Sequence, residues 1–345
     1  MILFRTDANE HIGLGHLMRC LSIADALKNH GLECMFIISD GFSQDIINQR
    51  GYHSKALDSC YNNMEAELDS IIEIIQKQEI QCIIIDSYYI TKRYFSEIRL
   101  YTKIVYIDDT LSFDYPVDIL INYNIFSKIY DYQKLYLNSS IIPMFLLGTD
   151  YTPLRKEFCN CSLKKQPDIA KDIFVSTGGT DIEHLTIKMI RYISRNLNVF
   201  FEYSFHFVVG SANQDKEAID EISKNIEIIQ IHNNVKKMRD LMLSCDIAVS
   251  AAGSTLYELC ACGIPTITYS LADNQIPAAK AFGDIGLMVN AGDIREDPEC
   301  EKTICDLLIR LSKDKERRQK MAFSTQQIVN GRGADNIAQV LADSI

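Results

Sequence analysis

The feature that most constrains the fold of this chain is a regular alternation of short apolar runs with segments of helical periodicity. The apolar runs have the length of β-strands, and a helical or turn segment follows each of them. Strands that are apolar along their whole length are typical of a parallel sheet with helices on both faces. The sequence therefore predicts an α/β protein.

The alternation is interrupted once, in a stretch where proline, asparagine, serine and lysine replace the apolar periods. Such a composition is typical of a linker between domains. The chain has 345 residues, which is enough for two domains that each bury a core. We predict an N-terminal domain at 1–150, a linker at 151–167 and a C-terminal domain at 168–345, with the last helix packing back on the first domain.

Both domains are predicted to be Rossmann-like, with one parallel sheet each. In the first domain an amphipathic helix follows the first strand, and Leu14, Leu17 and Leu21 lie near one of its faces. The stretch from residue 297 to the end is predicted to contain helices only. The predicted strands are 2–5, 34–39, 82–86, 104–108 and 119–122 in the first domain and 173–176, 204–209, 226–231, 246–250 and 266–269 in the second.

The charge of the chain limits its partners. A formal net charge of −11 argues against a general affinity for nucleic acid or anionic membranes, because either partner requires a basic surface. A small anionic ligand is still possible, since backbone amides and helix N-termini bind anions without a net positive charge. The chain turns polar directly after its first residues, so we expect a cytoplasmic protein without a membrane span, as a monomer or weak dimer.

We expect neither a cofactor nor a metal ion. Most of the eleven cysteines lie inside apolar segments, where a reduced thiol acts as a small apolar group, and the two closest pairs have no neighbouring histidine. The chain shows no obvious carboxylate set for Mg²⁺. The glycine spacing after the first strand also lacks the third glycine of a dinucleotide-binding fingerprint.

The first predicted strand ends in a polar segment with two glycines before a helix begins. Gly13 and Gly15 allow a tight turn, and the helix start supplies unpaired amides and a positive partial charge. His16 lies at this helix start, where the positive end favours a neutral imidazole that can accept a proton near pH 7. A capping or packing role for His16 is the alternative. Arg19, one turn further on, can reach a phosphate or form a structural ion pair with Asp7.

Short polar clusters follow the later strands of the first domain. The clusters are Asp86 to Tyr89, then Asp108 with Asp109, then Asn122 to Asn124. Taken singly, each suits a helix cap or a turn. Ligands of open parallel sheets bind beyond the carboxyl ends of the strands, so we expect these clusters to line one crevice that faces His16.

Two turns of small residues precede helices in the second domain. Their backbone amides suit the cradling of a diphosphate, and neither turn continues into the Gly-Lys-Ser/Thr of a Walker loop. Glu258, one turn into the second helix, either accepts ribose hydroxyls or forms a capping box with Ser254 or Thr255. The turns consist of Gly178, Gly179 and Thr180 and of Ala252, Gly253, Ser254 and Thr255.

Together these motifs resemble the PseG/SpsG family across nearly the whole chain. Members of this family are UDP-2,4-diacetamido-2,4,6-trideoxy-β-L-altropyranose hydrolases of pseudaminic (nonulosonic) acid biosynthesis, a pathway for flagellar or capsular glycans, including flagellin glycosylation. They are relatives of the MurG-type GT-B glycosyltransferases. The resemblance implies a GT-B-like α/β fold of two Rossmann-like domains with parallel sheets and an interdomain cleft. The residues that carry it are Arg5-x-Asp7, Gly13-x-Gly15-His16-x-x-Arg19, Ile85-Asp86-x-Tyr88, Asp108-Asp109, Gly178-Gly179-Thr180-Asp181 and Gly253-Ser254-Thr255-x-x-Glu258.

The resemblance also implies individual roles. His16 matches the histidine that activates water against the anomeric carbon, and Glu258 matches the glutamate that binds the nucleotide. Arg155 matches a substrate-contacting arginine in the linker, and Tyr88 resembles a tyrosine close to the sugar. Further substrate-binding residues expected are Arg5, Asp7, Gly15, Arg19, Asn122, the two small-residue turns, and Asn274 with Gln275, which look like the polar pair of MurG-type enzymes that faces donor sugar and phosphate.

The implied reaction is the metal-independent hydrolysis of a UDP-sugar to free sugar and UDP. Amide groups aimed at the leaving phosphate would stabilise its developing charge. Three alternatives stay open, because one fold supports many functions. They are a MurG-like glycosyltransferase, a non-catalytic nucleotide-sugar-binding protein and a UDP-sugar 2-epimerase.

Overall fold

The chain divides into two compact units, as a computed structural model that describes residues 1–9, 12–210 and 212–344 shows. Unit 1 consists of Met1–Lys156 together with Arg332–Ile345, and unit 2 consists of Glu157–Gly331. The boundary falls inside the stretch expected to be the linker, so that stretch is divided between the units. His11, for which the sequence predicts a surface position, lies outside the described residues.

Unit 1 contains a seven-stranded sheet. Its strands are β1 (Ile2–Thr6), β2 (Cys34–Ile38), β3 (His53–Ala56), β4 (Cys82–Asp86), β5 (Lys103–Ile107), β6 (Ile119–Asn122) and β7 (Met144–Leu147). All neighbouring strands run parallel, in the order β3-β2-β1-β4-β5-β6-β7. The central strands β1 and β4 are buried at every position, as expected for a sheet covered on both faces.

Helices connect these strands and cover the sheet. They are α1 (Gly15–Asn29), α2 (Gln44–Gln49), α3 (Leu68–Lys77), α4 (Lys92–Ile98) and α5 (Tyr132–Leu135). Helix α3 buries Leu68, Ile71, Ile74 and Ile75, whose spacing of three and four residues places them on one face. These side chains join the core of unit 1, where full burial of each isoleucine contributes roughly 1.5–3 kcal/mol.

Unit 2 contains a six-stranded parallel sheet. Its strands are β8 (Asp172–Ser176), β9 (Ser204–Val209), β10 (Ile229–Asn233), β11 (Ile247–Ala251), β12 (Thr266–Ser270) and β13 (Val289–Asp293). The order is β10-β9-β8-β11-β12-β13. In both sheets the chain therefore starts at the centre, moves to one edge and returns to the other side of its first strand, which creates the switch point where ligands of such sheets bind.

The helices of unit 2 cover its sheet, and two of them form the C-terminal part of the unit. They are α6 (Leu185–Arg195), α7 (Leu197–Phe200), α8 (Lys216–Ser223), α9 (Met238–Ser244), α10 (Thr255–Cys262), α11 (Ile276–Asp284), α12 (Cys300–Lys313) and α13 (Lys315–Ile328). Helix α12 buries Ile304, Cys305, Leu308 and Leu311, again at helical spacing, in the core of unit 2.

The final helix, α14 (Gly333–Ser344), belongs to unit 1 although it follows unit 2 in the chain. Its apolar face packs against α1. The Asn336 side-chain amide donates a hydrogen bond to the Asp150 carbonyl at 2.7 Å. A Cβ atom at Gly333 would lie 2.1 Å from the Thr152 carbonyl oxygen, so only glycine allows this close approach.

The ten strands predicted from the sequence all occur, and three further strands lie at the sheet edges. The further strands are β3, β7 and β13, of which β3 has the sequence HSKA and β13 the sequence VNAGD. The polar residues of β3 and β13 remove the continuous apolar run by which the buried strands are found. Strand β7, with the sequence MFLL, carries such a run, and the sequence reasoning missed it. No helix in the described ranges is both long and apolar enough to cross a membrane.

Candidate active site

A group of polar side chains lies beyond the carboxyl ends of the central strands of unit 1. Strand β1 lies between β2 and β4, and Thr6 at its end pairs with Asp86 at the end of β4. Helix α1 begins at Gly15, shortly after β1, and His16 is its second residue. This adjacency of strands brings His16 and Asp86 together from positions seventy residues apart in the chain.

The His16 imidazole contacts the Asp86 carboxylate. His16 Nδ1 lies 2.6 Å from Asp86 Oδ1, and both residues are buried, with exposed fractions of 7% and 1%. An ionised carboxylate only accepts hydrogen bonds, so a contact of this length requires the proton on Nδ1. Nε2 is then the nitrogen that can accept a proton. The arrangement thus fixes the tautomer of His16 and ties the Nδ1 edge of its ring to Asp86.

Arg19 holds Asp86 in its ionised form. Its Nε donates to Asp86 Oδ2 and its Nη2 to Asp86 Oδ1, both at 2.5 Å, while its Nη1 donates to the Tyr123 hydroxyl at 2.7 Å. Nη2 also lies 2.9 Å from His16 Nδ1. Burial favours the neutral acid, but the Arg19 guanidinium and His16 outweigh it and hold the pKa of Asp86 well below its usual range. The ion pair that the sequence suggests between Arg19 and Asp7 forms with Asp86 instead.

The surroundings of His16 differ from those that the sequence suggests. The start of α1 favours a neutral ring, whereas the Asp86 carboxylate stabilises positive charge on the ring. The contact with Asp86 determines which ring nitrogen is available.

Tyr88 packs against the His16 ring. The ring centroids are 4.7 Å apart and the ring planes meet at 84°, which is an edge-to-face contact. The Tyr88 hydroxyl donates to Asp109 Oδ2 at 2.9 Å. Tyr88 restrains the imidazole through this contact. Because it is 41% exposed, it also presents part of its ring to a ligand.

A small pocket opens beside His16. Two of its aromatic walls, Tyr61 and Tyr89, meet edge to face with centroids 5.4 Å apart. Ligand pockets typically combine aromatic walls with a few polar groups. The pocket is lined by Asp7, Ile12, His16, Tyr61, Asp86, Ser87, Tyr88 and Tyr89.

Arg5 and Asp7 belong to a buried ion-pair network at the end of β1. The fully buried Arg5 guanidinium donates to Glu67 Oε1 and Oε2 at 2.6 and 2.9 Å and to Asp7 Oδ2 at 2.6 Å. The Tyr94 hydroxyl donates to Glu67 at 2.9 Å, and the Ser39 amide donates to Asp7 Oδ1 at 2.7 Å. Of the two residues expected to bind substrate, only Asp7 lines the pocket, and Arg5 instead holds Asp7 in place.

Glu67 is a part of this network that the sequence reasoning missed. It ends the single 3₁₀ turn Met64–Glu67 that precedes α3, and it is 2% exposed. The signal was its spacing, three residues after Met64 and four before Ile71, which puts a carboxylate among the apolar positions of a helical pattern. A charge at such a position requires a buried partner, which is Arg5.

The other residues of unit 1 that were expected to bind substrate do not line this pocket. Asn122 is fully buried, donates to the Tyr132 hydroxyl at 2.9 Å and accepts from both nitrogens of Asn124. Gly15 is exposed at the first position of α1, and an added Cβ would meet nothing within 4 Å. Arg155 is half-buried in the segment that ends unit 1.

In unit 2, the turn after β8 approaches the end of the neighbouring strand closely. Gly178 and Gly179 are exposed and Thr180 is half-buried. Gly178 has a φ of +88°, and a Cβ at Gly210 would lie 2.3 Å from the Gly179 carbonyl oxygen. The Asp181 carboxylate accepts from the amides of residues 185 and 186 at 2.9 Å each, so the first amides of α6 already have a protein partner.

The turn after β11 leads directly into α10. Ala252 is buried, Ser254 is exposed, and Gly253, Thr255 and Glu258 are half-buried. Ser254 is the N-cap residue of α10 and makes no side-chain cap hydrogen bond to the helix, which is the bond that a capping box with Ser254 would need.

The predicted polar pair of unit 2 lies in the short 3₁₀ helix Asp273–Gln275 after β12. Asn274 is exposed there, whereas the Gln275 side chain accepts a hydrogen bond from the Leu271 amide at 3.1 Å. Within the described residues, no group of three or more histidine, cysteine, aspartate or glutamate side chains is arranged to hold a metal ion.

Several curated proteins are similar in sequence to this chain. The UDP-2,4-diacetamido-2,4,6-trideoxy-beta-L-altropyranose hydrolase of Campylobacter jejuni is 25% identical over 263 residues, covering 73% of this chain and 87% of that protein. The spore coat polysaccharide biosynthesis protein SpsG of Bacillus subtilis is 23% identical, covering 98% of this chain and 96% of that protein. The chain is thus similar in sequence to proteins named as this hydrolase and as SpsG. The resemblance inferred from the motifs is thereby confirmed.

The proteins similar to this chain differ in length. An uncharacterized protein of Methanocaldococcus jannaschii is 24% identical over 272 residues, and the match covers 76% of this chain but 54% of that protein. The chain thus spans about half the length of that relative. No protein-family model matches the chain.

Solved structures resemble the fold of this chain over nearly its full length. MurG of Acinetobacter baumannii has a TM-score of 0.71 at 13% identity and covers 100% of this chain and 99% of its own. The S. aureus MnaA–UDP co-structure has a TM-score of 0.68 at 10% identity, covering 99% and 95%. At these identities the likeness concerns the fold alone, and it confirms the predicted GT-B-like α/β class with two parallel sheets.

Proposed function

We propose that this protein hydrolyses UDP-2,4-diacetamido-2,4,6-trideoxy-β-L-altropyranose to the free sugar and UDP, a step of pseudaminic acid biosynthesis. The names of the curated relatives support a UDP-sugar as the substrate class. The observation that carries the hydrolytic proposal is the 2.6 Å contact between His16 Nδ1 and Asp86, which leaves Nε2 as the proton acceptor.

In the proposed reaction a water oxygen attacks C1 of the sugar while the bond from C1 to the phosphate oxygen breaks. His16 Nε2 takes the proton from the water, and UDP leaves with the electron pair of the broken bond. Asp86 stabilises the imidazolium that forms, as a carboxylate does for the histidine of a hydrolase triad. Arg19 keeps Asp86 ionised and therefore able to do this.

The proposal assigns the nucleotide to unit 2. The turn after β11 ends at the N-terminus of α10, where backbone amides and the positive helix end can stabilise a diphosphate. Glu258 is proposed to accept hydrogen bonds from the ribose hydroxyls, and Asn274 to face the diphosphate. The turn after β8 would contribute backbone groups from Gly178, Gly179 and Thr180, since the α6 amides are bonded to Asp181.

The test is a product analysis with purified enzyme and a panel of UDP-diacetamido-trideoxyhexoses in ¹⁸O-labelled water. We expect UDP and free sugar without any added acceptor, with the label in the sugar, because water attacks C1. Label in UDP would mean attack at phosphorus and would contradict the role of His16. A product that still carries UDP would identify an epimerase.

A glycosyltransferase is the second candidate, and the fold likeness to MurG favours it. It predicts that UDP release depends on an added acceptor and that little free sugar forms in its absence. The same assay therefore separates the two candidates.

A further inference from the structure

Asp109 is a carboxylate that lies next to the candidate active site without lining its pocket. It follows β5, its side chain is 21% exposed, and its Oδ2 accepts the Tyr88 hydroxyl at 2.9 Å. The same oxygen lies 4.0 Å from Arg19 Nη1. Asp109 thus contacts the residue that packs on the His16 ring as well as the residue that holds Asp86.

We propose that Asp109 is a positioning residue of the hydrolase site, which holds the Tyr88 hydroxyl so that the Tyr88 ring keeps its edge-to-face contact with His16. The inference rests on the proposed function for its effect on turnover. Its structural part is that Asp109 sets the position of the Tyr88 ring beside His16, and this part can be tested without any enzymatic activity.

Among the described residues, Asp109 is the hydrogen-bond partner shown for the Tyr88 hydroxyl. Tyr88 is 41% exposed, so packing restrains only part of its ring, and the hydroxyl is the end through which the side chain is tied. The His16 ring is held by Asp86 at Nδ1, but a single hydrogen bond leaves rotation about that bond open. The perpendicular Tyr88 ring restricts this rotation and so limits the positions that Nε2 can take.

The surroundings of Asp109 combine burial with nearby charges of both signs. Burial raises its pKa, although Arg19, His16 and the Tyr88 hydroxyl act in the opposite direction, and Asp86 adds to the rise. A carboxyl group with a raised pKa in the folded state stabilises the fold only at low pH, and this contribution is lost as the pH rises through the folded pKa. At neutral pH, ionised Asp109 is therefore less favourable in the folded state than in the unfolded state.

Asp108 provides a matched control from the neighbouring position. Its carboxylate accepts from the amides of Thr110 and Leu111 and from the hydroxyls of Tyr115 and Tyr132. It is 1% exposed and fully engaged in holding its own loop. Asp108→Asn is therefore expected to lower the unfolding temperature, whereas Asp109→Ala is expected to leave it equal or higher at pH 7.

The test on turnover compares Asp109→Ala, Tyr88→Phe and the double variant in the UDP-release assay. We expect each single change to lower kcat about 10- to 100-fold with KM within about threefold, and the double variant to be no worse than the worse single variant. Asp109→Asn retains an acceptor oxygen and is expected to restore most of the activity. The effects of Asp108→Asn and Tyr88→Phe should multiply. If the effects of Asp109→Ala and Tyr88→Phe multiply instead, Asp109 does not act through Tyr88.

A second measurement tests the inference even if the wild-type protein releases no UDP, an outcome that would remove the proposed function alone. The His16 ring protons in the ¹H NMR spectrum feel the ring current of Tyr88. Asp109→Ala should move these signals in the same direction as Tyr88→Ala, which removes the ring. Unchanged His16 signals in Asp109→Ala would overturn the inference.

Discussion

Replacement of Asp86 by asparagine tests the central contact of the site. Asp86 accepts hydrogen bonds at both oxygens, since Arg19 Nη2 and His16 Nδ1 face Oδ1 while Arg19 Nε faces Oδ2. Asparagine has only one oxygen, so its NH₂ group must face a donor at one of the two positions. If that group faces His16, it donates to Nδ1 and moves the ring proton to Nε2, which can then no longer accept a proton from water.

Two magnitudes follow from this geometry. The wrong tautomer is expected to lower kcat by about 10²- to 10⁴-fold, which corresponds to about 3–5 kcal/mol in the activation barrier. The side chain of Arg19 is 11% exposed, and loss of the carboxylate removes its ion-pair partner at 2.5 Å and leaves Asp109 4.0 Å away. Breaking such a pair is expected to lower the free energy of unfolding by about 3–5 kcal/mol.

The assays are UDP release under saturating substrate and urea unfolding followed by circular dichroism. Cys20→Ala is the control, because Cys20 Sγ lies 3.6 Å from Asp86 Oδ2 but carries no charge needed by the site. We expect Cys20→Ala to retain kcat within about threefold. Retention of wild-type kcat in folded Asp86→Asn, together with loss of activity in His16→Asn, would refute the orientation of His16 by Asp86.

Further expectations concern the other groups of the site. His16→Asn should lower kcat by about 10²- to 10⁴-fold and leave UDP affinity within about twofold in calorimetry, because unit 2 is proposed to bind the nucleotide. Glu258→Gln should instead lower the affinity for UDP about tenfold and change kcat less than His16→Asn does. The pKa of Asp86 is depressed in the folded state, so its contribution to stability is complete above the unfolded pKa of about 3.9 and is lost as the pH falls below it. The difference in unfolding free energy between wild type and Asp86→Asn should therefore be constant above about pH 5 and shrink below about pH 4, and a difference that grows on acidification would contradict this sign. Arg5→Met should destabilise the fold by about 3–5 kcal/mol in urea unfolding, since it leaves Glu67 and Asp7 without their buried partner, whereas a large rise in KM without destabilisation would restore a substrate-binding role.

Much of the fold is readable from the sequence because buried parallel strands carry a strong local signal. Strands such as β4, with the sequence CIIID, are apolar along most of their length, and the polar residues after them mark the ligand-binding edge. The edge strands β3 and β13 lack this signal. The position of β1 between β2 and β4 is likewise not encoded locally, although it brings Asp86 next to His16.

The residues of the candidate site could therefore be predicted from the sequence, but the ion-pair partners of its arginines could not. His16, Asp86 and Tyr88 could be assigned to one crevice from their positions after strands. The partner of Arg19 could not, because Asp7 and Asp86 both follow central strands and only the three-dimensional register distinguishes them. Arg5 was expected at the ligand because of its motif, while its burial depends on Glu67, a carboxylate on a distant helical segment.

The return of α14 to unit 1 has a consequence for how the chain is made on the ribosome. Residues 1–156 emerge first, but the helix that covers α1 is translated only after all of unit 2. At roughly 5–20 residues per second, unit 2 delays that helix by about 10–35 s. During this interval the apolar face of α1 that α14 will cover has no partner from its own unit, so nascent chains arrested before α14 are the ones that should recruit chaperones.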